Sequence, residues 1–200
     1  MADHNHNSYE DDLAPSLTTG YKVGEKKTLE ELAQLDAQDE SLKKWKESLG
    51  VGAAAALPAG ADPRRVIVLA LTLEVAGRPD VSIDLSTPDA IKALETNVLT
   101  IKEGVEYRLK VTFKIQHDVV SGLKYLHAVK RGPVRVDKTE EMVGSYGPSP
   151  EPYTKKFTLE EAPSGMLARG TYTVKSRFID DDNQAHLEWT WSLAIKKDWE

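Results

Sequence analysis

Twelve consecutive residues, 105–116, alternate without a break: Val105, Tyr107, Leu109, Val111, Phe113 and Ile115 against Glu106, Arg108, Lys110, Thr112, Lys114 and Gln116. Successive side chains of an extended chain point to opposite faces, so this pattern predicts a strand with one face in a core and the other in water. The chain repeats the pattern near its end, with Leu187, Trp189, Trp191, Leu193 and Ile195 against Glu188, Thr190, Ser192 and Lys196, and more weakly at Tyr172, Val174 and Phe178. Runs rich in β-branched and apolar residues predict further strands at 66–75, 81–85, 97–101, 119–130 and 153–158. Turn chemistry falls between them, at Gly77-Arg78-Pro79-Asp80, Ser121-Gly122, Gly147-Pro148-Ser149-Pro150 and Asp180-Asp181-Asp182-Asn183. Eight or so strands with few helical signals predict an all-β fold, an antiparallel two-sheet sandwich over residues 63–200.

Residues 1–62 follow a different grammar and read as an arm. Residues 1–20 carry no periodicity and are expected to be disordered. Thr28-Leu29-Glu30-Glu31 fits a capping box, with Leu29, Leu32 and Leu35 forming a stripe behind it. Asp39 is placed to cap a second helix carrying Leu42, Trp45 and Leu49 on one face and stopping at Gly50. The expectation is a helical hairpin over 28–49 and a small-residue linker over 50–62. Each helix falls below the ~12–15 residues at which an isolated helix is marginal in water, so both leucine stripes need another surface. Charge divides along the same line: residues 1–50 hold eleven Asp/Glu against six Lys/Arg, and residues 51–200 hold 21 against 20.

These features exclude several functions. No run approaches 18 apolar residues, which argues against a spanning helix, and Met1-Ala2-Asp3-His4 does not open a signal peptide. Zero cysteines remove thiol nucleophiles and thiolate metal sites and agree with a reducing compartment. A net charge of -6 argues against nucleic acid as a partner. Phosphate loops, His-Glu-x-x-His and Gly-x-Ser-x-Gly are missing from the sequence. His4 and His6 would make a weak, unsupported metal site, and His117, His127 and His186 are scattered near strand ends. The carboxylate runs Glu140-Glu141, Glu160-Glu161 and Asp180–Asp182 fall in predicted loops, where nothing supplies the burial that a general acid needs. No enzyme, catalytic residue, metal or cofactor is expected. Two features exceed what a plain sandwich requires: Trp189 and Trp191 share a parity and enter the same core, and acidic loops cluster in the later half. The tryptophans fit either ordinary filling or the wall of an apolar cavity; the acids fit either solvated turns or a landing surface for a basic partner.

Several stretches resemble the Rho GDP-dissociation inhibitors: Lys102–Arg108 (KEGVEYR), Val120–Tyr125 (VSGLKY), Met142–Pro148 (MVGSYGP), Glu160–Gly170 (EEAPSGMLARG), Lys175–Asp182 (KSRFIDDD) and Ile195–Trp199 (IKKDW), with Leu35-Asp36 and Asp39–Leu42 in the arm. The likeness spans roughly residues 21–200. It implies an immunoglobulin-like sandwich that takes a geranylgeranyl chain between its sheets, and an arm that folds over the switch regions of a GTPase. Carried over by position, Tyr21, Leu29, Leu32, Leu35, Asp39, Ser41, Leu42 and Trp45 would contact the switches, with Asp39 and Ser41 bonding the first. Leu73, Leu99, Tyr107, Val119, Leu167, Val174, Trp189 and Trp191 would form or border the prenyl pocket. Glu151, Glu160, Glu161, Asp181 and Asp182 would face the GTPase's basic tail and surface. The implied partners are prenylated Rho-family GTPases, mainly GDP-bound, in a 1:1 complex formed by a cytosolic monomer that touches membranes only transiently. Leu99 stands where relatives often have an aromatic residue and Glu141 where some have tyrosine, which alters the expected pocket rim. The runner-up is a general lipid-cargo chaperone of the same sandwich type, for which Asp39, Ser41 and the leucine stripes would have no use.

Overall fold

A computed structural model defines residues 13–16, 31, 39–42, 44 and 62–199. Nine strands follow one another in the sandwich: β1 (Val66–Val75), β2 (Val81–Asp84), β3 (Val98–Lys102), β4 (Glu106–Ile115), β5 (Val120–Arg131), β6 (Val134–Tyr146), β7 (Tyr153–Glu161), β8 (Gly170–Ile179) and β9 (Ala185–Lys196). They form a four-stranded sheet in the order β2-β1-β4-β7 and a five-stranded sheet in the order β3-β9-β8-β5-β6. The alternation over 105–116 became β4, the inner strand that pairs with both β1 and β7. Its Val111, Phe113 and Ile115 are buried, and they meet Leu123, Tyr125, Phe178 and Trp189 of the other sheet in one core.

Three details depart from the sequence reading. The sandwich is not wholly antiparallel, because β3 runs parallel to β9, Val98 opposite Ser192 through Lys102 opposite Lys196. Parallel pairing requires a crossover, and β3 is reached from β2 in the opposite sheet through such a connection. That connection holds α1 (Pro88–Ala93), a single short helix that the sequence reading missed. Thr87 Oγ1 accepts from the Ala90 amide as its N-cap, and Pro88 stands in its first turn. The third is β6, unexpected because its middle, Asp137–Glu141, is almost wholly polar. It is an edge strand whose regularity comes from ten register pairs along β5 rather than from its own burial.

The arm is represented by few positions. Glu31 is helical, as are Glu40, Ser41, Leu42 and Lys44. Asp39 Oδ1 accepts from the amides of Ser41 at 2.8 Å and Leu42 at 3.2 Å, the capping geometry expected of that residue. Tyr21, Leu29, Leu32, Leu35 and Trp45 lie outside the described residues, as does nearly all of the expected hairpin and linker. Disorder was expected throughout 1–20, and at Leu13–Ser16 the expectation is corrected. Leu13 is fully buried against Leu126, Ala128 and Ile179 on the outer face of the five-stranded sheet, forming a second apolar cluster separate from the main core. Burying one leucine is worth about 1.5–3 kcal/mol, enough to hold a short segment that also finds polar partners.

Candidate functional site: the space between the sheets

The inner face of the five-stranded sheet is set by parity. Ser176 of β8 pairs with Trp189 of β9 on one side and His127 of β5 on the other, and Val174 pairs with Trp191. The two indoles therefore enter the core as the period of two demanded. Trp189 stacks at 5.9 Å from Phe178 and 6.1 Å from Tyr125, which also stacks on Phe157 from the opposite sheet at 5.1 Å. A polar node lies within this aromatic layer. Trp191 Nε1 donates to Ser176 Oγ at 3.0 Å, and Tyr125 OH is bonded to the same hydroxyl at 3.1 Å. Burial pushes the Tyr125 phenol up, and the Ser176 hydroxyl opposes that rise, so it stays neutral. Trp189 Nε1 is buried with no hydrogen-bond partner among the described residues.

Along one edge the sheets part. Between β2 and β3, with α1 laid across the gap, is a groove of about 440 Å³ walled by Val81, Ile83, Leu94, Val98, Leu99 and Trp191. Such a volume lies within the ~300–1,000 Å³ of typical ligand pockets. The wall is mostly aliphatic, and the base holds an indole whose only polar atom is already bonded to Ser176. The apolar wall offers dispersion contacts, and Ser82, Asp84, Asn97 and Ser192 add polar groups to the lining. Leu73 backs the groove, paired with Val81 and buried; Val174 is buried beneath Trp191.

At the opposite edge, between β6 and β7, the sandwich is nearly closed. The cleft there, of about 10 Å³, is lined by Leu109, Tyr125, His127, Glu141, Phe157 and Glu160, and holds no more than about one water. Tyr107 OH donates to Glu160 at 2.6 Å. Burial, then the nearby Glu160 carboxylate, push the Tyr107 phenol far up. His127 is nine-tenths buried and its Nδ1 has no partner among the described residues. Burial lowers its pKa against the opposing pull of Glu160, Asp137 and Glu141.

The residues expected around the prenyl chain thus separate into groups. Leu99 and Trp191 line the groove, Leu73 and Val174 are buried as strand partners of Val81 and Trp191 behind it, Trp189 sits deeper in the aromatic layer, and Tyr107 lies toward the other edge. Leu167 does not join them. It is 90% exposed in the β7–β8 loop, where Arg131 fastens its carbonyl and turns the side chain to solvent. Val119 sits in the turn before β5 and outside the core cluster. The acids divide as well. Glu160 and Glu161 close β7, whereas Glu151 precedes it, about 25–30 Å away along an extended strand. Glu151 shares its end with Asp181 and Asp182, since the Asp181 amide donates to the Ser121 carbonyl beside Val120, and Val120 pairs with Tyr146. The five carboxylates form two sites at opposite ends rather than one patch.

Asp180, the first of the acidic triplet, has a structural task. Its carboxylate accepts from the amides of Asp182 and Gln184, from His186 at 2.8 Å and from Arg65 at 3.1 Å. Those bonds overcome the burial that would raise its pKa and hold it below the usual carboxylate range. Among the described residues no helix is long and apolar enough to cross a membrane, and no His/Asp/Glu group is arranged to hold a metal.

The model of the RHO protein GDP dissociation inhibitor family matches residues 3–198. This chain belongs to that family. The Rho GDP-dissociation inhibitor of Schizosaccharomyces pombe is 44% identical over 177 residues, covering 88% of this chain and 86% of its own. Rho GDP-dissociation inhibitor 1 of Homo sapiens is 45% identical over 184 residues, covering 91% and 88%. The Rho GDP-dissociation inhibitor of Saccharomyces cerevisiae is 42% identical over 182 residues, covering 88% and 90%. The Rho GDP-dissociation inhibitor family is one of regulators.

Proposed function

We propose that this chain binds prenylated Rho-family GTPases one to one, holds the geranylgeranyl chain in the groove between β2 and β3, and slows GDP release through the arm. In this reading it carries the GTPase from membrane to cytosol. The observation that carries the proposal is the groove, an apolar slot whose floor is Trp191 and whose wall is Leu99, in a chain of this family. Each CH₂ is worth ~0.8 kcal/mol whether bilayer or protein buries it, so transfer of the prenyl chain is close to neutral. Selectivity for the protein complex then comes from the arm and the acidic ends. Asp39 caps its helix through Oδ1, and its carboxylate beside exposed Ser41 and Leu42 supports a switch contact by this segment.

A titration of the full chain with a geranylgeranylated cysteine peptide, read by tryptophan fluorescence, tests the pocket. Leu99→Trp fills the slot and should weaken that binding at least tenfold, while the added volume lowers stability by no more than about 1–3 kcal/mol. Unchanged affinity in Leu99→Trp would place the lipid elsewhere. A general lipid-cargo carrier is distinguished by the double substitution Asp39→Ala/Ser41→Ala, which must restore GDP release in the proposed function and leave prenyl-peptide affinity unaltered.

A further inference from the structure

The outer face of the five-stranded sheet is built to receive something apolar. Its neighbours Lys124, Lys138, Glu140, Arg177 and Glu188 suit a solvated surface, yet Leu126, Ala128 and Ile179 interrupt them and are buried. Leu13 covers all three. Polar groups from three different strands then hold the segment by its backbone and its last hydroxyl. Arg177 of β8 donates to the Leu13 carbonyl at 3.2 Å, and Lys138 of β6 donates to the Ala14 carbonyl at 2.9 Å. Glu140 of β6 accepts from the Ser16 amide at 2.8 Å and the Ser16 hydroxyl at 2.9 Å, and Lys124 of β5 braces that carboxylate at 3.3 Å. One apolar plug flanked by four directional contacts ties this short segment to a preformed surface.

The other end of the arm is fastened too. Gln116 Nε2 donates to the Asp62 carbonyl at 2.8 Å and to the Arg64 carbonyl at 2.6 Å, and His117 Nε2 lies 2.7 Å from the Asp62 carbonyl. His117 adopts a left-handed backbone, φ 70°, which for a non-glycine residue is an uncommon geometry that a bond can hold.

We infer that the outer face of β5, β6 and β8 is a docking surface whose occupant is Leu13–Ser16 of the same chain, and that docking turns residues 17–61 from a tail into a loop held at both ends. This extends the function proposed above, in which those residues engage the GTPase switches. A loop closed in advance has fewer conformations to lose when a partner orders it, so docking raises the affinity of the arm without touching the partner.

The test compares the full chain with Leu13→Asp, which puts a charge into the apolar site, and with Glu140→Ala, which removes the Ser16 partner. By NMR hydrogen exchange, the Ser16 amide should be protected at least tenfold in wild type and exchange at the unstructured rate in Leu13→Asp, while β4 and β8 amides stay protected in both. A synthetic peptide of residues 10–18 should shift Leu126, Ala128 and Ile179 in Leu13→Asp at a concentration at least tenfold lower than in wild type, whose site is filled. The concentration of chain that halves GDP release from a Rho-type GTPase should rise about three- to tenfold in Leu13→Asp, and by less in Glu140→Ala, with prenyl-peptide affinity unchanged. Equal Ser16 exchange in wild type and Leu13→Asp, or peptide shifts at equal concentrations, would overturn the dock. Equal half-inhibiting concentrations would overturn its coupling to the arm. If wild type itself fails to slow GDP release, the function proposed above falls, and the exchange and peptide measurements still decide the dock by themselves.

Discussion

Ser176→Ala is the sharpest perturbation of the inter-sheet layer. The Ser176 hydroxyl is fully buried and serves two partners, Trp191 Nε1 at 3.0 Å and Tyr125 OH at 3.1 Å. Removing one oxygen leaves an indole N–H and a phenol without their bond, and each orphaned group costs ~1–3 kcal/mol. Trp191 borders the groove and regains some water there, which brings the expected loss to about 2–4 kcal/mol. Urea unfolding followed by tryptophan fluorescence measures it. With a slope of ~1–3 kcal/mol per molar, the midpoint should fall by about 0.7–4 M at unchanged slope. The bonds share one hydroxyl, so Tyr125→Phe should cost clearly less on the Ser176→Ala background than alone. A loss below ~0.5 kcal/mol, or strictly additive single and double variants, would refute the node as a shared anchor.

Gly122 has φ 58°, and a Cβ there would sit 1.9 Å from Asp181 Oδ2. Gly122→Ala should therefore cost ~1–2 kcal/mol from left-handed strain and swing the Asp181 carboxylate away, visible as a shifted Asp181 resonance and a lower thermal midpoint. An unmoved Asp181 would contradict the close approach. His127 has a pKa below its ordinary value because burial disfavours its charged form. Below pH ~6.5 the unfolded chain binds the proton that the folded chain refuses, so this residue makes stability decline as pH falls from about 6.5 toward the lowered folded value. Urea midpoints between pH 7.5 and 5 should fall more steeply for wild type than for His127→Gln; parallel lines would rule the contribution out.

Much of the core was legible because its physics is local. The alternation at 105–116 and the shared parity of Trp189 and Trp191 needed only the period of an extended chain, and both became inward-facing rows. Asp39 was legible as a cap for the same reason. The α1 helix had a signal that went unread, Thr87-Pro88 before a short run, the pairing of an N-cap with proline at the first helical position. Ser176 also had one, a hydroxyl between Val174 and Phe178 at an inward position. β6 had almost none, since an edge strand with Asp137, Thr139 and Glu141 on its inner parity borrows its order from β5. Leu13 was illegible in principle. A lone leucine after Asp11 and Asp12 acquires meaning only through Leu126, Glu140 and Arg177, more than a hundred residues away. The division of the acids failed similarly: proximity in sequence joined Glu151 to Glu160, while a nine-residue strand carried them to opposite ends.

The parallel pairing of β3 with β9 bears on how the molecule is made. β3 supplies Leu99 and Val98 to the groove, yet among the described residues its one partner in the sheet is a strand some ninety residues later that also brings Trp191. During translation the first eight strands can leave the ribosome while β3 still has no neighbour, because a chain folds from its N-terminus as it emerges. The groove is therefore the last part of the sandwich to form. A chain interrupted before β9 would lack both the strand that pairs β3 and the indole of Trp191 that borders the groove.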